Sequence, residues 1–411
     1  LVYWQIIGRR RQSAGRRSTA GCPRLVDGAL VGAEARLAVL VDALVRRAAA
    51  GLDHVKHALL VRLEAGHLAD EGADGSHALL GAAFALAIHE TALAENRCIL
   101  IIAEHSQSAQ RLQQELAFFS GGAYPIDIFP DYETLIYDGF SPHQDILSDR
   151  LALLSRAALD RAVVIVPAAT LLLRLPPRAF LLGHNLRLQT GQRLDLSTLR
   201  RQLHASAYRA VDTVIEHGEF TVRGSVLDLF PMGAAHPFRV ELFDDEIESI
   251  RTFDPETQLS TGITDAIDTL PAREFPLSKE GIRLFQDQWH EQFGGNPRDC
   301  RIYQDVAQGQ APAGIEYYLP LFYTETETLL NYLPADLLLI TEAIANPIQS
   351  YWETVKSRYE SLRYDLERPI LPPEALLLAE DELMGLLKAF PRLDRLETFR
   401  KGARTFDTLP A

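Results

Sequence analysis

Cys98-Ile-Leu-Ile-Ile-Ala103, Ile126-Asp-Ile-Phe129 and Ala162-Val-Val-Ile-Val-Pro167 are three short strand-like stretches separated by helix-patterned sequence, the first and third of them unbroken apolar runs. An unbroken apolar run this short suits a strand buried on both faces, because a half-exposed strand would alternate apolar with polar residues. Ser108 to Phe119 follows the first run and Arg150 to Leu159 precedes the third, both with helical period. Strands alternating with helices at this spacing predict an α/β fold built on a parallel sheet. Ala78 to Ala94 reads as an apolar helix leading into the first strand. Leu337-Leu-Leu-Ile340 supplies one more buried strand far downstream.

Between Thr170 and Glu256 the pattern changes to α+β. Leu186-Arg-Leu begins a strand and Leu196 to Leu203 a helix. Thr213–Glu216, Gly218–Arg223, Ser225–Phe230, Phe238–Phe243 and Ile247–Phe253 then read as successive strands, with Asp244-Asp-Glu246 as a turn. Helical sequence is expected to resume after Pro255, with Leu284 to Phe293 clearest. A buried strand returning at residue 337 implies that the α+β segment is inserted into the α/β domain. The expected organisation is a leader over 1–74 and the first half of the α/β domain over 75–169. The inserted domain covers 170–256, the second half of the α/β domain 257–375, and the start of a further segment 376–411.

Composition narrows the function. The chain of 411 residues carries 41 Lys and Arg against 55 Asp and Glu, a formal net charge of −14. A broad nucleic-acid grip needs clustered cations and is not expected. Cys22, Cys98 and Cys300 fit neither zinc spacing nor a disulfide framework, so a reducing cytoplasm is the expected compartment. The leader holds Arg9, Arg10, Arg11, Arg16, Arg17 and Arg24 and no acid up to that point; it reads as a basic nucleic-acid-binding arm or an organelle transit peptide, or else as a disordered or mistranslated leader. Asp244, Asp245 and Glu246 are better read as a solvated turn than as a metal cluster. His143 and His217 lack a nucleophile or a ligand set, so no catalytic residue and no metal site is assigned.

Four segments are specific. They are Asp131-Tyr-Glu-Thr-Leu-Ile-Tyr-Asp-Gly-Phe-Ser-Pro-His-Gln-Asp-Ile-Leu-Ser-Asp-Arg-Leu151, Gly218-Glu-Phe-Thr-Val-Arg-Gly-Ser-Val-Leu-Asp-Leu-Phe-Pro-Met-Gly233, Phe243-Asp-Asp-Glu-Ile-Glu-Ser-Ile-Arg-Thr-Phe-Asp-Pro255 and Gly314-Ile-Glu-Tyr-Tyr-Leu-Pro-Leu-Phe322. Together they resemble the bacterial transcription-repair coupling factors and, more distantly, the UvrB subunit of the excision nuclease, from about Gly75 onward. The resemblance implies a UvrB-like α/β domain of the P-loop helicase kind, with a degenerate nucleotide site. It also implies an inserted domain that binds UvrA. In that family RNA polymerase and DNA are engaged through C-terminal domains absent here. ATP and magnesium belong to a motor also absent here, so no cofactor is expected in this chain.

At the position of a P-loop the chain reads Leu79-Leu-Gly-Ala-Ala-Phe-Ala85. Gly81 keeps the pattern, but Phe84 stands where a lysine would neutralise phosphate and Ala85 where a hydroxyl would ligate magnesium. Downstream, Glu342 takes the place of the metal-holding aspartate and Ala343 that of the activating glutamate. A working UvrB-like helicase or nuclease subunit, the enzyme alternative, would need those groups. For UvrA binding the resemblance points to Arg209 and Arg223, and beside them Phe230. Period two places Phe220 and Val222 on one strand face, Thr221 and Arg223 on the other. The run from Asp138 to Arg150 has no room for the aromatic hairpin with which UvrB proteins verify damage.

Overall fold

The computed structural model describes residues 2–7, 75–95, 97–156, 161–183, 185–294, 296–396 and 404–406. The Arg-rich leader, apart from residues 2–7, lies outside the described residues.

The central layer is a sheet in the order β15-β1-β14-β13-β2-β4-β3. Its parallel core consists of β2 (Ile99–Ala103), β3 (Ile126–Ile128), β4 (Val163–Pro167), β13 (Leu338–Thr341) and β14 (Arg392–Leu396). β1 (Val2–Ile7) lies antiparallel between β14 and β15 (Arg404–Phe406). Every residue of β2, β4 and β13 is buried, as the apolar runs require. Successive side chains serve opposite layers. Ile99, Ile101, Val163, Ile165 and Ile340 pack under α1 (Gly75–Ala94) and α2 (Ser106–Ser120). Leu100, Ile102, Val164 and Val166 join the larger core shared with α3 (Gln144–Ser155), α5 (Lys279–Gln292) and α6 (Ala345–Leu362). The participation of β14 was not legible, because Arg392-Leu-Asp-Arg-Leu396 lacks an apolar run.

The insertion forms a second sheet, in the order β11-β10-β9-β8-β7-β6. Its strands are β6 (Arg209–Ala210), β7 (Glu219–Arg223), β8 (Val226–Leu229), β9 (Phe238–Phe243), β10 (Glu246–Phe253) and β11 (Ser260–Thr264). All neighbours are antiparallel except β6 and β7. A separate pair, β5 (Leu186–Gln189) with β12 (Ala266–Thr269), closes the ends, and α4 (Leu196–Ala205) contributes Leu199 and Leu203 to the core.

Three expectations change. The chain does not turn helical after Pro255 but adds β11 and β12 first. The antiparallel body therefore occupies 186–269, whereas Leu173 and Leu175 bridge to Leu377 and Glu327 of the parallel-sheet body. Thr213–Glu216 is no strand, because the N–H groups of Ile215 and Glu216 donate to the Glu219 carboxylate instead of to a ladder. The helix expected at Arg150–Leu159 begins earlier, at Gln144, where the His143 side chain accepts from the Asp145 N–H; residues 157–159 lie outside the described residues.

Helix α3 is the rail on which the insertion sits. Asp145 Oδ1 meets His217 Nδ1 at 2.8 Å, Ser148 Oγ accepts from Gly233 N at 2.8 Å, and Arg150 Nε donates to Glu274 Oε1 at 2.6 Å. Gly233, at φ +78, presses against Ala152 so closely that an added Cβ would lie 3.2 Å from its methyl group.

Candidate functional site

Arg209 on β6 stands opposite Glu219 on β7. Four residues further along β7, about 13 Å away at the rise of a strand, Arg223 projects from the same face. Both arginines keep much of their side chains in solvent, 65% and 56%. Each is nevertheless anchored to a buried carboxylate. Arg209 Nη2 reaches Glu219 Oε1 at 2.5 Å and Glu216 Oε2 at 3.3 Å. The second Glu219 oxygen accepts from Ile215 N at 2.8 Å and Glu216 N at 2.9 Å. Burial acts against the Glu219 charge, but those two N–H groups and Arg209 outweigh it and hold the carboxyl below its usual range.

Asp228 does the same for a second pair. Its Oδ2 accepts from Arg223 Nη2 at 2.7 Å, while Arg239 bonds Oδ1 at 2.7 Å and Oδ2 at 3.0 Å. Arg251 continues the row, 3.5 Å from Glu241. Because a guanidinium carries five donors in a fixed plane, the bonds to Glu219 and Asp228 orient Arg209 and Arg223 and leave donors free. The cross-strand register brings exposed Phe243 and Ile263 onto this face as well. Sequence reasoning missed both. Phe243 was within reach, since Val240 and Leu242 alternate with it and point inward.

Phe230 is not part of the exposed face. It is buried with Val214 and Phe253, and its ring centroid lies 4.0 Å from that of His217. It shares the strand parity of the arginine face, but the 211–217 segment folds over it. The expectation that its ring meets a partner is corrected to a supporting role. His217 also takes a structural place: between Asp145 and the carbonyl of Ala234, which its Nε2 meets at 2.9 Å.

The positions expected to correspond to a nucleotide motif lie elsewhere. Gly81, Phe84 and Ala85 belong to the continuous helix α1. Phe84 and Ala85 are buried in the same apolar cluster as Ile88, Ile101 and Ile340. Glu342 follows β13, and its Oε2 accepts from Glu104 N at 3.0 Å, tying together the ends of two neighbouring strands. Ala343 beside it is exposed. Among the described residues no group of three His, Cys, Asp or Glu is placed to hold a metal, and no helix is long and apolar enough to cross a membrane.

Comparison with known proteins bears on the inserted domain and on the chain as a whole. A UvrB interaction domain model matches residues 186–275. The transcription-repair-coupling factor of Escherichia coli (strain K12) is 43% identical over 318 residues, which cover 77% of this chain and 28% of that protein. The chain belongs to the transcription-repair-coupling factor family. The family's Haemophilus influenzae member is 42% identical over 336 residues, covering 80% of this chain and 29% of its own length. The Bacillus subtilis member is 26% identical over 267 residues, 61% of this chain and 22% of its own length. The chain thus spans less than a third of the coupling factors it matches. The matched interaction domain begins with β5 and ends just past β12, at the residues that return the chain to the parallel-sheet body.

Proposed function

We propose that this part of a coupling factor is a recruitment module, in which the arginine face of the antiparallel sheet binds UvrA and so brings excision repair to a stalled RNA polymerase. The observation that carries the reading is the placement of Arg209 and Arg223. They project from one face of the matched interaction domain, each oriented by a buried carboxylate and each with donors to spare. Such forks suit carboxylates on a partner protein, and the neighbouring Phe243 and Ile263 add apolar contact area. Contacts to RNA polymerase and DNA, and ATP turnover with magnesium, are assigned to other parts of the full-length protein. In this segment no residue is given a catalytic role. Phe84 and Ala85 fill a core, and the Glu342 carboxylate holds a backbone amide. The test is calorimetric titration of the chain with UvrA. Arg209→Ala with Arg223→Ala weakens binding strongly while the melting curve stays cooperative. Binding within about twofold of wild type would move the interface elsewhere.

A further inference from the structure

We infer that a second face, built by residues 131–142 and 362–368, docks a basic segment of a partner protein that inserts apolar side chains. Phe140, Tyr364 and Leu366 are 73%, 74% and 86% exposed, and Leu135 and Leu362 are exposed beside them. Isolated apolar residues on a surface mean little, but five large ones carried by two adjoining segments are an interaction signature.

The two segments are fastened together, so the display is rigid. Arg358 on α6 donates to Ile136 O at 2.8 Å and to Asp138 Oδ1 at 2.5 Å. Arg368 reaches the carbonyl of Asp138 and lies against Gly139. Beneath them Gly314, at φ +78, has no space for a side chain, since an added Cβ would meet Arg368 Nη2 and Asp138 O at 2.6 Å. Tyr318 Oη donates to Pro369 O at 2.9 Å and Cys300 Sγ to Leu366 O at 3.4 Å. A surface already held in place loses little freedom on binding.

Charge selects the occupant. Both interior arginines are engaged by Asp138, and Arg363 is paired with Glu360 at 2.9 Å. Among the described residues, exposed Glu133, Asp299, Asp365 and Glu367 have no ion pair, against Arg298 and Arg368, whose guanidinium bonds the Asp138 carbonyl rather than a carboxylate, so acids still outnumber unpaired cations on that side. Burial pushes the Cys300 thiol up, and the charges of Asp299, Asp365 and Glu367 add to the shift, so all three carboxylates act on this one site. An acidic rim around an apolar centre repels phosphate and attracts lysine and arginine. The fitting ligand is an amphipathic peptide segment with leucine-like side chains on one face and cations at its border. None of these residues belongs to the arginine face, so this inference and the UvrA reading stand or fall separately.

The whole chain can be titrated by fluorescence anisotropy with a labelled leucine–lysine amphipathic peptide about five helical turns long, and with its leucine–glutamate counterpart, at physiological ionic strength. Wild type binds the basic peptide and not the acidic one. Phe140→Ser with Leu366→Ser, and separately Glu133→Lys with Glu367→Lys, weaken that binding about tenfold or more, with unchanged melting curves. Glu248→Lys with Glu256→Lys, the same charge change on the inserted domain, alters it by less than about twofold. The inference is overturned if the remote variant weakens binding as much as the local one, since net charge alone would then explain it. It is also overturned if the serine variant binds like wild type, or if a single-stranded oligonucleotide binds this face better than the basic peptide.

Discussion

Arg150 and Glu274 meet at 2.6 Å although 124 residues separate them, and neither side chain exposes more than 1% of its surface. Arg150 comes from α3 of the parallel-sheet body, and Glu274 lies where the chain leaves the antiparallel sheet. The guanidinium is sandwiched by Phe129 and Tyr132, at 4.2 and 4.1 Å, and also donates to Pro130 O. Tyr132 Oη donates to Glu274 Oε2 at 2.5 Å. Desolvation opposes the Arg150 charge, yet Glu274 and Tyr132 outweigh it and raise the group above its ordinary value. Removing one member leaves a buried charge unpaired, so Arg150→Met should cost about 3–5 kcal/mol. Arg150→Met with Glu274→Gln should cost less than the sum of the two single changes, with a coupling of about 1 kcal/mol or more. Urea denaturation of the four proteins of this cycle checks it; simple additivity would mean that the pair does not couple the two bodies.

Glu219 gives stability a definite pH dependence. Its carboxyl is held below the usual range in the folded chain by Ile215 N, Glu216 N and Arg209, against the desolvation that opposes them. A depressed carboxyl stabilises fully above its unfolded value of about 4.3 and loses that contribution as pH falls through the folded value. Glu219→Gln should therefore be less stable than wild type by about 1–2 kcal/mol at pH 7. The two melting curves should converge as pH drops below the carboxylate range. A gap that persists unchanged under acid would mean the side chain acts by shape rather than charge.

The legible parts of the fold were those where one physical requirement controls the residues. β2, β4 and β13 are buried on both sides, and nothing but apolar sequence serves there. β11 was not legible, because Ser260-Thr-Gly-Ile-Thr264 is an exposed edge strand with no apolar alternation to mark it. Period two identified the face of Arg223 but not the burial of Phe230, which depends on an irregular loop folding over it from 211–217. The buried ion pairs were invisible for a different reason. Arg150, Asp228 and Glu274 look like surface residues in sequence, and only partners far along the chain or across strands make their burial tolerable.

The arginine face separates binding from stability. Arg209 and Arg223 are both more than half exposed, so replacing each with alanine should cost about 1 kcal/mol of folding stability or less. Asp228 retains Arg239 when Arg223 is lost, and Glu219 retains two backbone donors when Arg209 is lost. If these arginines contact UvrA, each loss should cost about 2 kcal/mol of binding. Calorimetric affinity compared with the melting temperature of the same preparations distinguishes the outcomes. A variant that melts far below wild type would show the arginines to be structural, and one that binds normally would clear this face of the contact.

Phe84, Ala85, Glu342 and Ala343 stand where the proposed reading puts a degenerate nucleotide site. The wild-type chain should not hydrolyse ATP with or without DNA, and turnover abolished by substituting Gly81 or Glu342 would refute this. Restoring the motif is more informative. Phe84→Lys with Ala85→Thr supplies the missing cation and hydroxyl, but it does so inside α1, where both positions are buried against Ile88, Ile101 and Ile340. A phosphate cradle needs backbone N–H groups turned toward the ligand, whereas a continuous helix uses most of its N–H groups on its own carbonyls. Losing the Phe84 ring from a core costs about 3–5 kcal/mol, and a buried ammonium with no partner adds to that. The double variant should therefore melt well below wild type and still fail to bind a fluorescent ATP analogue. A variant that binds the analogue and melts like wild type would show that the helix can reopen into a loop. The apolar packing would then be a closed state of a working site rather than a replacement for one.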